Sequence, residues 1–200
     1  KALIPRVEKL KIGPYTAGND VDMGPVITAE SKHRILGLIQ SGIDQGAELV
    51  VDNRDFSLQG YENGFFVGPH LFDNVTPEMD IYKTEIFGPV VSTVRAGSYE
   101  EAIGLAMDHE YGNGTAIFTR DGDTARDFAN RINIGMVGIN VPVPVPLAYH
   151  TFGGWKKSMF GDLNQHGPDS FKFYSRTKTV TSRWPSGIKE GGEFNFKAMD

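Results

Sequence analysis

The sequence contains no cysteine in its 200 residues. Disulfides, zinc–thiolate centres and cysteine-nucleophile chemistry are therefore excluded within these residues. No apolar run approaches the roughly 18–20 residues of a membrane span. Neither sign of charge dominates. Twenty Lys and Arg against 25 Asp and Glu give a formal net charge of −5, and the basic patch that a nucleic acid requires is missing. The five histidines (His33, His70, His109, His150 and His166) stand without ligand spacing, which argues against a metal site. The start, Lys1-Ala2-Leu3-Ile4-Pro5-Arg6, has no hydrophobic stretch before a cleavage site and no initiating Met. It reads as a cut from a longer sequence rather than a signal peptide.

Two nucleotide-loop patterns are also missing. Phe152-Gly153-Gly154-Trp155-Lys156-Lys157-Ser158 superficially suggests a phosphate loop but does not satisfy G-x-x-x-x-G-K-[ST]. Gly112-Asn113-Gly114 lacks the third glycine of a Rossmann fingerprint, since Ile117 stands there.

What is present is an ordinary globular mixture, 40% hydrophobic and 22% charged. That length builds one sizeable domain, or one domain and an appendage. Thr28 to Gln45 reads as a helix with Ile35, Leu38, Ile39 and Ile43 inward and Gly46 as its left-handed cap. Glu48 to Asp52 reads as a strand, and Phe65 to Phe72 as extended chain bent at Gly68-Pro69. Val90–Val94 is a short β-branched strand. Ser98 and Glu101 form a capping box for a helix whose face carries Ala102, Leu105, Ala106 and His109. Thr115 to Thr119 is the next strand. Asp121 caps a helix bearing Ala125, Phe128, Ala129 and Ile132, and Met136 to Asn140 is a third strand. Strand, helix, strand, helix, strand with short connections implies parallel pairing, hence an α/β layered fold.

The end changes character. Three prolines in Val141-Pro142-Val143-Pro144-Val145-Pro146 exclude a helix. Phe173 to Ser182 is aromatic and β-branched, so it reads as a late strand, broken at Trp184-Pro185-Ser186-Gly187. Coming after the α/β unit, it must pair at an exposed edge. Lys172, Arg176, Lys178 and Arg183 around it either keep that edge soluble or bind an anion.

Glu85-Ile86-Phe87-Gly88-Pro89-Val90 admits two readings. In one, a surface Glu and a core Phe precede a strand. In the other, the Glu85 carboxylate accepts hydrogen bonds from a vicinal sugar diol, with Phe87 as an apolar wall.

Four segments in order carry a resemblance. Met23-Gly24-Pro25-Val26-Ile27 is similar to M-G-P-L-I of the aldehyde dehydrogenase superfamily, and Glu85 to Val90 resembles its E-x-F-G-P motif. Gly135 to Asn140 resembles its G-x-V-x-I-N strand, and Phe152 to Ser158 resembles its P-F-G-G-x-K-x-S turn, with Thr151 in place of the usual Pro. The proline run, Phe160-Gly161-Asp162, Phe173-Tyr174 and Lys178 to Trp184 resemble the methylmalonate-semialdehyde dehydrogenase branch.

The resemblance implies one half of the catalytic α/β domain, with a parallel three-layer sheet. Residues 1–165 would belong to that domain, and residues 166–200 to an oligomerisation strand and tail. It implies an enzyme of valine catabolism in which a cysteine thiolate attacks a semialdehyde, hydride passes to NAD, and coenzyme A takes the acyl group with decarboxylation. The nucleophilic Cys, its oxyanion-stabilising Asn and the catalytic Glu would all precede this chain, leaving the chain alone inactive. Glu85 would meet the ribose hydroxyls and Phe87 the nicotinamide ring, with Asn140 and Phe152 at the aldehyde tunnel. Phe173 to Ser182 would add to a neighbouring subunit's sheet in a homodimer or tetramer. The implied location is the bacterial cytoplasm or the mitochondrial matrix. Two rivals stand beside this reading: a non-catalytic assembly module of the same fold, and a water-dependent member of the superfamily.

Overall fold

The structure, a computed structural model, describes residues 1–184, and the side chain of Asn19 is not described. It divides into two compact units that interleave along the chain: Lys1–Tyr111 with Thr119–Asn133, and Gly112–Phe118 with the chain from Ile134 onward. A single boundary in sequence does not describe that division.

The first unit is built on a three-stranded sheet, β1 (Glu48–Val51), β2 (His70–Val75) and β3 (Val90–Val94), in that spatial order. Helix α1 (Ile4–Val7) packs its Val7 against Val51 and Leu71. Helix α2 (Ala29–Asp44) starts where the Thr28 side chain accepts the Ser31 amide, and Gly46 follows it with φ of 97°. Ile35 and Ile39 of α2 are fully buried. They share a core with Phe72, Val75, Ile81 of the short α3 (Asp80–Lys83), and Ile86. Burying such side chains is worth roughly 1.5–3 kcal/mol each.

Helix α4 (Tyr99–Asp108) begins at the Ser98 cap, whose hydroxyl accepts the Glu101 amide. The reciprocal bond differs from expectation: the Glu101 carboxylate takes the Gly97 amide at 2.6 Å, one residue earlier than Ser98. The buried residue of α4 is Ile103, while Ala102, expected inward, is exposed. Helix α5 (Gly122–Arg131) is capped by Asp121 and buries Ala125 and Phe128.

The expected single run of parallel strands is corrected here. Strand β3 pairs with β2 in parallel, from His70↔Val90 onward, and β1 pairs with β2 antiparallel. The sheet is mixed because β2, read from sequence only as extended chain to Phe72, takes the central position between β1 and β3.

The second unit begins inside β4 (Tyr111–Gly112). Strands β5 (Gly114–Ile117) and β6 (Met136–Ile139) pair in parallel, from Gly114↔Met136 to Ile117↔Ile139. The two-residue β7 (Trp155–Lys156) follows a crossing at 141–149 that forms no helix.

The late strand, expected to pair with a neighbouring subunit, has no ladder partner among the described residues of this chain. Phe173 closes a short helix, α6 (Ser170–Phe173), and residues 175–184 are assigned no strand. Their side chains are exposed throughout. A strand exists only where its backbone groups find a ladder partner. Pro185 to Gly187 and the rest of the expected tail lie outside the described residues.

Candidate functional site

In the first unit, the loop before β3 alternates burial sharply. Ile86 is buried in the core, while Glu85 and Phe87 on either side are exposed, Phe87 by 77%. Ile86 is an apolar anchor that turns its two neighbours outward.

The backbone of that loop is held from three directions. Arg34 of α2 donates to the Glu85 carbonyl at 3.3 Å and to the Ile86 carbonyl at 2.7 Å. Gly88 lies against Ile35, so closely that a Cβ there would sit 2.7 Å from the Ile35 Cδ1. Pro89 accepts the His70 amide at 2.8 Å, joining the loop to the start of β2. Phe87 itself has φ of 53°. A bulky residue in the left-handed region stores strain that surrounding structure must impose, and such positions gather at functional sites. The Glu85 carboxylate and the Phe87 ring thus project from a fixed platform. An acceptor group beside an exposed flat apolar ring suits a ribose diol joined to a planar heterocycle.

His70, behind this loop, is 1% exposed. Its Nδ1 lies 2.8 Å from the Gly68 carbonyl, and its Nε2 is buried without a partner. Burial, the largest influence, holds its pKa below the ordinary value, against the Gly68 hydrogen bond and the Asp52 charge.

In the second unit, Asn140 follows β6 with φ of 59°, its amide donating to the Ile117 carbonyl at 2.8 Å. Phe152 is 38% exposed and stacks at a tilt on His166, ring centroids 4.3 Å apart. The glycine pair after it is a structural necessity. Gly153 has φ of 82°, and a Cβ there would overlap the Asn113 carbonyl oxygen. Gly135, at the start of β6, packs against Gly153. Strands rise about 3.3 Å per residue, so Gly135 and Asn140 stand on the order of 15 Å apart along β6. The turn bearing Phe152 is therefore seated at one end of that strand and Asn140 at the other. The Thr151 hydroxyl lies 3.3 Å from the side-chain oxygen of buried Asn164 and 3.4 Å from the Gly153 carbonyl, donating to one at a time. A proline could make neither bond.

The structure thus brings Glu85 and Phe87 together on one platform in the first unit, and carries Asn140 and Phe152 in the second. Sequence reasoning missed Arg34 and His70. Arg34 acts across 52 positions in sequence, and nothing local marks it. Among the described residues, no group of three or more His, Asp or Glu converges as a metal site, and no helix is long and apolar enough to cross a membrane.

The chain is similar to several known proteins. A malonate-semialdehyde dehydrogenase of Pseudomonas aeruginosa is 57% identical over 198 residues, covering 98% of this chain and 40% of that protein. The mitochondrial methylmalonate-semialdehyde dehydrogenase [acylating] of Arabidopsis thaliana is 48% identical over 180 residues. Among solved structures, a chain from Sinorhizobium meliloti 1021 assigned as methylmalonate-semialdehyde dehydrogenase, complexed with NAD, is 73% identical with a TM-score of 0.85. It is covered over 38% of its length, against 94% of this chain. The chain described here therefore spans 30–40% of the length of these relatives. The aldehyde dehydrogenase family pattern matches residues 1–180, and the chain belongs to that family.

Proposed function

We propose that this chain is the cofactor-clamping and tunnel-lining part of an NAD-dependent, coenzyme-A-acylating methylmalonate- or malonate-semialdehyde dehydrogenase. The observation that carries this reading is the Glu85–Phe87 platform, exposed on both sides of a buried anchor and pinned by Arg34. The names of the relatives support the substrate class, and the word "acylating" in the Arabidopsis relative's name supports coenzyme A as acyl acceptor. NAD in the Sinorhizobium structure supports the cofactor.

In this reading the Glu85 carboxylate accepts hydrogen bonds from both ribose hydroxyls, and the Phe87 ring limits the poses of the nicotinamide beside it. The cofactor, when bound, supplies the hydride acceptor. Asn140 and Phe152 line the aldehyde's path, Phe152 by an apolar ring steadied on His166. A cysteine thiol outside these residues makes and breaks the bonds to the substrate, because none is present here. The exposed segment from Phe173 to Ser182 pairs with the sheet of a second copy, giving a dimer or tetramer.

The test is Glu85→Ala in the full-length protein. Loss of a charged acceptor to two hydroxyls raises the KM for NAD about tenfold or more. An unchanged KM overturns the clamp. Product analysis tests the acyl acceptor: acyl-CoA and released CO2 are expected, whereas free acid formed at full rate without coenzyme A refutes acyl transfer to it.

A further inference from the structure

His70 is the buried titratable group that the proposed chemistry leaves unused. Its Nδ1 lies 2.8 Å from the Gly68 carbonyl oxygen. A carbonyl only accepts, so Nδ1 carries the proton of the neutral ring and Nε2 presents a lone pair. That lone pair has no hydrogen-bond partner, and the nearest charged oxygen is Asp52 Oδ1 at 4.0 Å. The ring nitrogen is buried, whereas the Asp52 carboxylate reaches the surface, 41% exposed. Asp52 is already held by Arg54, whose guanidinium Nη2 lies 2.7 Å from its Oδ2. Asp52 and Arg54 are the charged groups facing the ring, Asp52 favouring a charge there and Arg54 opposing it.

We propose that neutral His70 is a positioning residue for the loop carrying Glu85 and Phe87, and that taking up a proton at Nε2 releases it. The proposal rests on the cofactor reading of that loop. The connection is direct. The ring pins Gly68 through Nδ1, while the amide of the same residue donates to Pro89 at 2.8 Å, where the loop enters β3. Asn53 holds the intervening Pro69 carbonyl at 2.6 Å. A proton on Nε2 creates a charge in a side chain that is 0% exposed. The attraction of Asp52, 4.0 Å away and shared with Arg54, is outweighed by the cost of burying that charge. Opening the Gly68–His70 segment lets the ring reach water.

The sign and size follow from linkage. The closed form binds the proton more weakly than the open form, which takes it up with the ordinary histidine pKa of 6.5. The open population is therefore unaffected well above that pH and rises as pH falls through it. Between pH 7.5 and 5.5 it grows by up to about tenfold.

The test uses the full-length protein and its His70→Asn variant, whose amide can donate to Gly68 without titrating. Amide hydrogen exchange of peptides covering 66–75 and 84–92, corrected for the intrinsic pH dependence, should accelerate up to about tenfold over that range in wild type. It should stay flat in H70N. Equal pH dependence in both proteins, or none in wild type, overturns the proposal. Should H70N fail to fold, residue-specific exchange of the imidazole C2 proton in wild type decides instead. A midpoint below 6.5 is expected, and one at or above it overturns the proposal. The KM for NAD should follow the opening. A flat KM beside a titrating opening refutes the link to the cofactor loop while leaving the proton-dependent release standing.

Discussion

Gly88 offers the most direct test of the idea that core packing fixes the cofactor platform. A Cβ at this position would sit 2.7 Å from Ile35 Cδ1 and 3.1 Å from both Cγ1 and Cγ2. Ile35 is fully buried in one core with Ile39, Phe72 and Ile86. Gly88→Ala must therefore displace either the core or the loop. Overpacking of this kind costs about 1–3 kcal/mol. Displacement of the loop carries Glu85 and Phe87 with it, so thermal stability should fall and the KM for NAD should rise. A second change, Ile35→Val, removes the closest atom. Alone it costs about 0.5–1.5 kcal/mol. In the Gly88→Ala background it should cost less, or restore stability, with a coupling of about 0.5–2 kcal/mol. Both are read from thermal denaturation and NAD titration of the full-length protein. Unchanged stability and KM in G88A, or strictly additive effects in the double variant, refute the reasoning.

Other consequences are equally accessible. Arg34→Met keeps the apolar stem but removes both donors to the loop carbonyls, so the KM for NAD should rise about three- to tenfold, with kcat falling less. An unchanged KM contradicts a pinning role. Gly153→Ala combines a disallowed φ of 82° with overlap of the Asn113 carbonyl. It should cost more than about 3 kcal/mol, read as loss of soluble protein or a large fall in melting temperature. The Arg95 guanidinium holds the Asp73 carboxyl at about 2, below its ordinary 3.8. Stability from this pair is complete above pH 3.8 and fades as pH falls toward 2. The stability difference between wild type and Arg95→Met should therefore shrink over that window, and a difference that widens on acidification contradicts the assignment.

What the sequence made legible was local. Ser98 and Asp121 cap their helices as expected, because a cap satisfies amides within three positions of itself, and Thr28, expected inside its helix, caps it as well. Val90–Val94 is a strand with the bounds expected from its β-branched run. The Glu85–Phe87 pair was legible through its motif, although the burial alternation around Ile86 was not. What escaped depends on partners far along the chain. Strand β2 sits between β1 and β3 only because each supplies a ladder, and no pattern in residues 70–75 announces that. The positive φ of Phe87 has no signature in residue type, whereas Asn140 belongs to a type that tolerates the left-handed region. Arg34 reaches its acceptors across 51 and 52 positions. At Phe173 to Ser182, β propensity suggested a strand, but a strand needs a ladder partner and none lies among the described residues of this chain, where Phe173 ends α6.

The account stands most directly on where the Glu85 side chain lies when the cofactor is bound. A crystal structure of the full-length protein with NAD should show its carboxylate within about 3.2 Å of both hydroxyls of the ribose on the nicotinamide side, with Arg34 still on the Ile86 carbonyl. A carboxylate directed into bulk solvent, with the ribose held by other residues, would contradict it.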